Sequence, residues 1–231
     1  MNEQIALVTG ANRGIGFEVC RQLADLNYRV FLGSRDLKKG EEAVQALNHP
    51  GGKITAIELD VSKDESVKKA FQKIKQETPV IDVIVNNAAI HYDDWENITN
   101  IDLKILSEAL ETNTFGAIRM INTFLPLIIE SKRGRIVNVS SELGSLQAMG
   151  PGSPAYNMSK VALNALTVMY AEKLRPHNIL INSVCPGWTF TDMGKGGRPV
   201  PEGAKSVVWA VKIHDDGPTG GFFRDGKPLK W

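Results

Sequence analysis

Apolar residues follow two alternating patterns along most of the chain. Short unbroken apolar runs are typical of parallel strands that are buried on both faces. Between these runs, apolar residues recur at the spacing of amphipathic helices. The runs predict strands at residues 5–8, 28–33, 54–59, 80–85, 135–140, 179–184 and 220–223. The helical spacing predicts helices at residues 14–26, 36–47, 63–76, 101–131, 155–174 and 202–211.

Because strands and helices alternate without a change of character, we expect one α/β domain over residues 1–231. The predicted fold is a doubly wound Rossmann-type parallel sheet of about seven strands, with helices on both faces. A length of 231 residues with 42% hydrophobic residues is enough for one full core. We expect the run at 220–223 to be a final edge strand, and a short substrate-side segment to lie around 192–212.

Charge and cysteine content restrict the partners and the compartment. Twenty-seven basic residues stand against 26 acidic ones, so no electrostatic argument favours nucleic acid or an anionic membrane as a partner. No apolar run approaches the roughly 18 residues of a membrane span. The first strand begins too early to leave room for a signal peptide, and Cys20 and Cys185 stand alone, as in a reducing compartment. We expect a soluble cytoplasmic protein without a metal site.

A glycine-rich turn follows the first strand, in the run Thr9-Gly10-Ala11-Asn12-Arg13-Gly14-Ile15-Gly16. Glycine removes the side chain where a backbone turns sharply or approaches another group closely. A helix that begins at Gly14 would present free N–H groups and a positive dipole end, which suit a pyrophosphate. The spacing differs from the commoner Gly-x-Gly-x-x-Gly fingerprint. A plain glycine-rich turn between strand and helix is the alternative.

The end of the second strand indicates which nicotinamide cofactor is preferred. Proteins that bind unphosphorylated NAD usually place an acidic residue there to hold the ribose hydroxyls. This chain has Gly33-Ser34-Arg35 instead. Together with Arg13 in the glycine turn, Arg35 offers a second guanidinium for a 2′-phosphate. The alternative is that both arginines are solvated surface cations. We predict a preference for NADPH over NADH.

Polar residues also mark later elements. Asp60 follows the third strand, where its carboxylate is suited either to an adenine amino group or to capping the next helix. The fourth strand ends in Asn86-Asn87-Ala88-Ala89, which allows close packing beneath a ligand, although asparagines also make turns. Asn113 lies inside the long predicted helix, where asparagine is a poor helix former. It is either a surface residue or a local irregularity that frees a backbone carbonyl for a water.

Tyr156 and Lys160 are the candidate acid/base pair. They lie four residues apart at the start of a predicted helix, so both project from one face. A phenol normally ionises near pH 10, and a nearby lysine ammonium and an oxidised nicotinamide would lower that pKa. Such a pair would act as a tuned acid/base, with Ser141 at a strand end holding a substrate carbonyl. The Tyr-x-x-x-Lys spacing alone occurs by chance in many helices.

Taken in order, these motifs resemble the short-chain dehydrogenase/reductase family. The resemblance rests on Thr-Gly-Ala-Asn-Arg-Gly-Ile-Gly, Asn-Asn-Ala-Ala, Ser141, Tyr156-Asn-Met-Ser-Lys160 and Pro186-Gly187, and runs from Ile5 to about Thr191. Within the family, Arg35, the run at 186–193 and the closing run at 220–231 are similar to the NADPH-dependent carbonyl reductases.

The resemblance implies roles for individual residues. Asn113, Ser141, Tyr156 and Lys160 match the catalytic tetrad, with Tyr156 as proton donor and Asn113 holding a water in a proton relay. Lys160 would also bind the nicotinamide ribose, Asp60 and Val61 would flank the adenine, and Asn86 and Ala88 would line the cofactor floor. The complete set of implied cofactor contacts is Gly10, Asn12, Arg13, Gly14, Ile15, Gly16, Arg35, Asp60, Val61, Asn86, Ala88, Tyr156, Lys160, Pro186, Gly187 and Thr191.

The implied reaction is reduction of a ketone, aldehyde or quinone by NADPH. Trp188, Phe190, Leu146 and Met149 would line the substrate pocket, although each is equally compatible with ordinary packing. A reductase of a carrier-bound 3-oxoacyl group or of a steroid-type substrate would use the same tetrad. A nucleotide-sensing regulator without turnover is the alternative from another class, and the intact tetrad argues against it.

Two departures from the carbonyl-reductase pattern bear on assembly and substrate. Monomeric animal relatives carry a long insertion between the serine and the tyrosine, whereas only 14 residues separate Ser141 from Tyr156 here. That insertion covers helices that form the subunit interface in other members. We therefore expect a homodimer or homotetramer formed through 101–131 and 155–174. The segment after Asp192 is short and rich in glycine, which indicates an open active site.

Overall fold

The computed structural model describes residues 3–50, 53–194 and 196–231. The strands are β1 Ile5–Val8, β2 Arg29–Ser34, β3 Ile54–Glu58, β4 Val83–Asn86, β5 Arg135–Val139, β6 Leu180–Val184, β7 Phe222–Arg224 and β8 Lys227–Pro228. The helices are α1 Gly14–Asp25, α2 Leu37–Leu47, α3 Asp64–Glu77, α4 Leu103–Leu110, α5 Gly116–Ile129, α6 Pro154–Leu174 and α7 Val200–Val211. The predicted substrate-side segment at 192–212 is described except at residue 195.

The strands form one sheet in the order β3-β2-β1-β4-β5-β6-β7-β8. Neighbours from β3 to β7 are parallel, and β8 is antiparallel to β7. The predicted doubly wound parallel sheet is confirmed. From β1 the chain moves outward to β3 and then returns to the other side of β1 at β4. Sheets of this type bind ligands at the carboxyl ends of the strands where the order reverses.

Both faces of the sheet are covered, which explains the unbroken apolar runs. Ala6 and Val8 of β1 point into a core shared with α1, α2 and α7. Ile5 and Leu7 point into the opposite core, which is shared with α3, α5 and α6. Successive side chains of a strand point to opposite faces, so a strand covered on both sides requires apolar residues at every position.

The C-terminal edge of the sheet differs from the prediction, because β7 is not the final strand. Asp225 and Gly226 take positive φ angles of 53° and 76° and turn the chain back as β8. An Asp-Gly pair with both φ angles positive is a favoured two-residue hairpin turn. The edge position therefore belongs to the two-residue strand β8.

The long helix predicted at 101–131 is interrupted. A π-helical turn at Glu111–Phe115 separates α4 from α5. Asn113 and Thr114 in this turn are buried, and the Thr114 hydroxyl donates to the Ser159 carbonyl of α6 at 2.9 Å. Single π turns inside helices occur frequently at functional sites. Of the two alternatives for Asn113, the local irregularity is confirmed. No helix in the described ranges is long and apolar enough to cross a bilayer.

Candidate active site

The glycine turn between β1 and α1 leaves room for an anionic group of a ligand to approach the backbone closely. Gly10 and Gly14 have φ angles of 60° and 59°, a region that side chains disfavour. A Cβ atom at Gly10 would lie 2.8 Å from the Ala88 Cα atom. No side chain caps the N-terminus of α1, so its first N–H groups stay available. These features fit the pyrophosphate of a dinucleotide, which the N-terminus of a helix attracts.

Asn87 holds this turn against β4. Its side-chain amide donates to the carbonyls of Thr9 at 2.9 Å and Gly10 at 3.1 Å. The Thr9 hydroxyl in turn accepts from the backbone N–H groups of Asn87 and Ala88, both at 3.0 Å. Sequence reasoning named Asn86 and Ala88 but missed Asn87. The signal was the Asn-Asn pair itself, because consecutive residues at a strand end point to opposite sides.

The side chain of Asn86 lies on the face of the sheet that α6 covers. Its amide donates to the Asn138 side-chain oxygen at 2.8 Å, and the Asn138 amide donates to the Thr167 hydroxyl at 2.8 Å. The Oδ1 atom of Asn86 is buried and has no hydrogen-bond partner within the described residues. A buried polar network of this kind orders the strand ends beneath the crevice.

The residues predicted to surround the adenine lie after β3. The Asp60 carboxylate accepts from the N–H group of Ser62 at 3.1 Å and from its hydroxyl at 2.6 Å, and lies 3.4 Å from the Lys63 ammonium. Burial opposes ionisation of Asp60, yet these partners leave its pKa below the ordinary value. Asp60 therefore anchors the turn that leads into α3. Val61 is buried in the core against Gly116.

The two candidate phosphate-binding arginines are both exposed. Arg13 Nη1 lies 2.7 Å from Asp192 Oδ2, and both side chains are about 70% exposed. An exposed ion pair of this kind contributes little to stability. Arg13, Gly14, Phe190, Thr191, Asp192 and Val200 line a cavity of about 550 Å³. The structure thus brings the glycine turn and the predicted nicotinamide residue Thr191 to one cavity.

The candidate tetrad converges at the first turns of α6. Lys160 is fully buried, donates to the Val139 carbonyl at 2.7 Å, and lies 5.4 Å from the Tyr156 ring centroid. The Ser141 hydroxyl oxygen accepts from the Leu143 N–H at 3.2 Å, which leaves the hydroxyl proton free to be donated elsewhere. Ser141 lies near Tyr156 and favours its phenolate form, which opposes the effect of burial on the pKa of Tyr156.

Asn113 reaches the site through other residues. Its side-chain oxygen accepts from the Ile90 N–H at 2.8 Å, and its amide donates to the Ile90 carbonyl at 3.1 Å and to the Ser159 hydroxyl at 3.0 Å. Ser159 directly precedes Lys160. The side chain of Asn113 is therefore fully used in tying the π turn to the loop after β4 and to α6.

The pKa of Tyr156 corrects one expectation. Burial raises it above the ordinary value for a phenol, and the nearby Cys185 raises it further. Burial also lowers the pKa of Lys160 to about 8. The sequence predicts that the lysine ammonium and an oxidised nicotinamide lower the pKa of Tyr156, but in the structure without cofactor the loss of solvation at this depth is the larger effect. Without cofactor, Tyr156 holds its proton firmly.

The Pro186-Gly187 turn after β6 is clamped by Arg198. Its guanidinium donates to the Pro186 carbonyl from Nε at 2.8 Å and forms a bidentate pair with Asp225 at 2.9 and 3.0 Å. Gly187 has a φ of 71°, and a Cβ atom there would lie 3.0 Å from the arginine Nε. Sequence reasoning missed Arg198, because its partners are distant in the chain.

Aromatic residues line the approach to Tyr156. The Tyr92 ring packs edge-on against the Tyr156 ring at 5.3 Å and against the Trp188 ring at 6.4 Å. Trp188, Phe190 and Leu146 are each more than 60% exposed, so ordinary core packing does not account for them. Met149 is half-buried. Tyr92 and its neighbour Asp93, in the loop after β4, were not among the predicted site residues.

Comparisons with known proteins agree with this geometry. A family model for short chain dehydrogenases matches residues 4–200. Carbonyl reductase (NADPH) 1 of Sus scrofa is 32% identical, covering 100% of this chain and 95% of the pig protein. That alignment runs over 282 positions, more than the 231 residues here, so the pig protein contains segments that this chain lacks.

Two solved structures share the whole fold. The carbonyl reductase Sniffer of D. melanogaster superposes with a TM-score of 0.90 at 31% identity, covering 100% of both chains. An NADPH-bound carbonyl reductase from chicken fatty liver superposes with a TM-score of 0.89 at 27% identity, also covering 100% of both chains. The chain belongs to the short-chain dehydrogenase/reductase family, in its carbonyl-reductase-like branch, and is an NADP-dependent oxidoreductase.

Proposed function

We propose that this protein reduces the carbonyl group of a ketone, aldehyde or quinone to an alcohol, with NADPH as reductant and Tyr156 as proton donor. The observation that carries the proposal is the buried Tyr156 hydroxyl, which lies with Ser141 and Lys160 at the carboxyl end of the sheet. Burial raises the pKa of Tyr156, so its proton is retained until a stronger base appears.

In this proposal, Ser141, Tyr156 and Lys160 have separate roles at the substrate carbonyl group. Bound NADPH would supply the hydride that the carbonyl carbon accepts. Ser141 donates its free hydroxyl proton in a hydrogen bond to the carbonyl oxygen, which holds the substrate. As negative charge develops on that oxygen, Tyr156 transfers its proton to it. The charge of Lys160 stabilises the phenolate that remains.

Asn113 contributes through the backbone in this proposal. Because its side chain is occupied by Ile90 and Ser159, the π turn offers main-chain carbonyls to a water that returns a proton towards Lys160. Such single π turns inside helices occur frequently at functional sites.

The cavity that Arg13, Gly14 and Thr191 line, together with residues around it, is the proposed cofactor site. We propose that the pyrophosphate lies against the turn at 10–16, and that Arg13 and Arg35 bind the 2′-phosphate. Pro186, Gly187 and Thr191 would contact the nicotinamide. The open glycine turn and the shared cavity of Arg13, Gly14 and Thr191 support this arrangement.

The exposed apolar residues indicate the substrate chemistry. Trp188 and Phe190 are each more than 60% exposed, and Trp188 lies next to Tyr92 and through it Tyr156. An apolar substrate that packs against these side chains would remove their apolar surface from water, which favours binding. We therefore favour an apolar, ring-bearing carbonyl compound over a small hydrophilic one.

Self-association is a further part of the proposal, as a homodimer or homotetramer through α4, α5 and α6. Leu103 on α4 and Met169 on α6 are about 70% exposed, and an interface would remove them from water. Light scattering coupled to size exclusion tests this, with Met169→Glu expected to shift the wild-type oligomer to monomer. A wild-type monomer at micromolar concentration would overturn it.

We also place the protein in the cytoplasm. Cys20 and Cys185 are buried free thiols, as is usual in a reducing compartment. Fractionation of cells that express the tagged chain tests this, and recovery from an oxidising secretory compartment would contradict it.

The reaction is tested by NADPH oxidation, followed by absorbance, against quinones, aromatic aldehydes, cyclic ketones, a steroid ketone and a carrier-bound 3-oxoacyl group. We expect turnover with the cyclic and aromatic carbonyls. Turnover restricted to the carrier-bound substrate would replace the proposed substrate class. Tight NADPH binding without turnover on any member would favour a sensing role instead.

A further inference from the structure

Asp93 is a fully buried carboxylate in the loop that follows β4. Its relative exposure is 0%, the lowest of any acidic residue among those described. A buried carboxylate without hydrogen-bond partners lowers the stability of the fold by an amount on the order of several kcal/mol. Asp93 therefore requires hydrogen-bond donors that replace the water molecules it loses on burial.

The partners of Asp93 are backbone N–H groups of α6. Its Oδ2 atom accepts from the Ala155 N–H at 2.9 Å, and its Oδ1 atom accepts from the Tyr156 N–H at 2.9 Å. These are among the first N–H groups of the helix, which lack partners inside it. The positive end of the helix dipole adds to the attraction.

The residue at the N-cap position of α6 does not supply a capping hydrogen bond. Ser153 occupies the cap position with a φ of 51°, and its side chain makes no capping bond. Most helices are capped by the residue that precedes them. Here the capping carboxylate comes from 62 positions earlier in the chain. The first turn of α6 is thus fixed to the loop after β4.

The same loop contacts the candidate site at two further points. Ile90 exchanges backbone hydrogen bonds with the Asn113 side chain, and Tyr92 packs its ring against the Tyr156 ring. The loop from Ile90 to Asp93 therefore contacts two members of the tetrad. Of these contacts, only that of Asp93 acts on the backbone of the residue that carries the reacting hydroxyl.

We propose that Asp93 is a positioning residue that sets the place and orientation of Tyr156 by holding the first turn of α6. The inference rests on the proposed function, in which Tyr156 donates the proton. Asp93 touches neither substrate nor cofactor. A carboxylate suits the task because it offers two acceptor oxygens to two neighbouring N–H groups, and an amide offers only one.

The expected consequence of losing Asp93 is a misplaced hydroxyl. A displacement of about 1 Å at a reacting group costs on the order of 100-fold in rate, since the reactive geometry is then rarely populated. Binding of the cofactor depends on the glycine turn, which Asp93 does not contact. The structure therefore predicts a loss in kcat without a matching loss of NADPH affinity.

The test compares Asp93→Asn with Asp94→Asn, a neighbouring exposed acid as matched control. Asp93→Asn should lower kcat by about 10-fold or more, while the Kd for NADPH and the substrate KM change by less than about twofold. Deuterium at the transferred position of NADPH should give a larger isotope effect on kcat than in the wild type. Asp94→Asn should match the wild type in every parameter.

Failure of the inference is distinguishable from failure of the proposed function. A folded Asp93→Asn protein with wild-type kcat and isotope effect overturns the role of Asp93, provided that Tyr156→Phe is inactive. Retained turnover in Tyr156→Phe would overturn the proposed function instead. If Asp93→Asn does not fold, amide exchange of the wild type decides. The Ala155 and Tyr156 amides should be protected, and exchange at the rate of an uncapped first turn would overturn the inference.

Discussion

Tyr156 and Lys160 show how burial changes chemistry at the scale of single residues. The spacing of the pair predicts that both project from one face, and the structure agrees. Their pKa values, however, are set by depth: burial raises that of Tyr156 and lowers that of Lys160 to about 8. The lysine therefore loses its proton before the tyrosine in the cofactor-free protein.

The lowered pKa of Lys160 predicts a pH dependence of stability. Between pH 8 and the ordinary value of 10.5, the unfolded chain binds a proton at this position that the folded chain has released. Stability therefore rises with pH through this window, and the penalty of charging the buried amine is fully present below it. Across the whole window the free energy of unfolding rises by at most about 3 kcal/mol, because one pKa unit corresponds to about 1.4 kcal/mol.

Chemical denaturation of the wild type and of Lys160→Met, from pH 7 to 10.5 without cofactor, measures this effect. As the pH rises, the free energy of unfolding of the wild type should increase relative to that of Lys160→Met. Lys173→Met, which changes an exposed lysine of the same helix, is the control and should parallel the wild type. A constant difference between wild type and Lys160→Met would contradict the assignment.

The proposed preference for NADPH rests on Arg13 and Arg35. Charge-assisted bonds to a 2′-phosphate contribute about 1.5–3 kcal/mol each, so Arg35→Ala should weaken NADPH binding by about 10- to 100-fold. NADH lacks the phosphate, and its Kd should change by less than about twofold. Parallel titrations measure both, with exposed Arg175→Ala as control. Equal losses for both cofactors would remove the arginines from this role.

At the scale of elements, the turn from β1 to α1 depends on the absence of a side chain. Gly10→Ala places a Cβ atom 2.8 Å from the Ala88 Cα atom at a φ of 60°. The strain and the clash should cost about 2 kcal/mol of stability and should weaken NADPH binding. Denaturation and cofactor titration measure the two effects.

Gly150→Ala is the matched control for this substitution. A Cβ atom at Gly150 would meet no atom within 4 Å. Its effect on stability should stay within about 0.5 kcal/mol. A Gly10→Ala protein as stable as Gly150→Ala, and with unchanged NADPH affinity, would show that the turn tolerates a side chain.

Local patterns predicted most elements, and the exceptions have distant causes. The apolar runs located β1 to β7 because both faces of the sheet are covered. The interruption at Asn113 was predicted only as one of two alternatives, because the partners that hold its side chain, Ile90 and Ser159, are far away in the chain. The hairpin at Asp225-Gly226 does carry a local signal, because an Asp-Gly pair favours a two-residue turn, but apolar runs do not register such a pair.

At the scale of the whole molecule, the sheet order explains why scattered motifs meet. The chain reverses direction across the sheet between β1 and β4, so the glycine turn, Asn87 and Ser141 gather at the carboxyl ends of adjacent strands. Ser141, Tyr156 and Lys160 could be proposed from the sequence because Ser141 follows a strand and the other two lie near the start of a helix, whereas Asn113 joined the set through the family resemblance. Asp93 could not be proposed from the sequence, since its importance comes from N–H groups that the fold places against it.

The most direct test of the account is carbonyl-dependent NADPH oxidation by Tyr156→Phe. The change removes only the hydroxyl, so turnover should fall by about 100-fold or more while the Kd for NADPH stays near that of the wild type. Tyr170→Phe is the control, because it removes a hydroxyl from the same helix that donates to Asn122 at the surface. We expect Tyr170→Phe to be fully active. Retained turnover in a folded Tyr156→Phe protein would contradict the account.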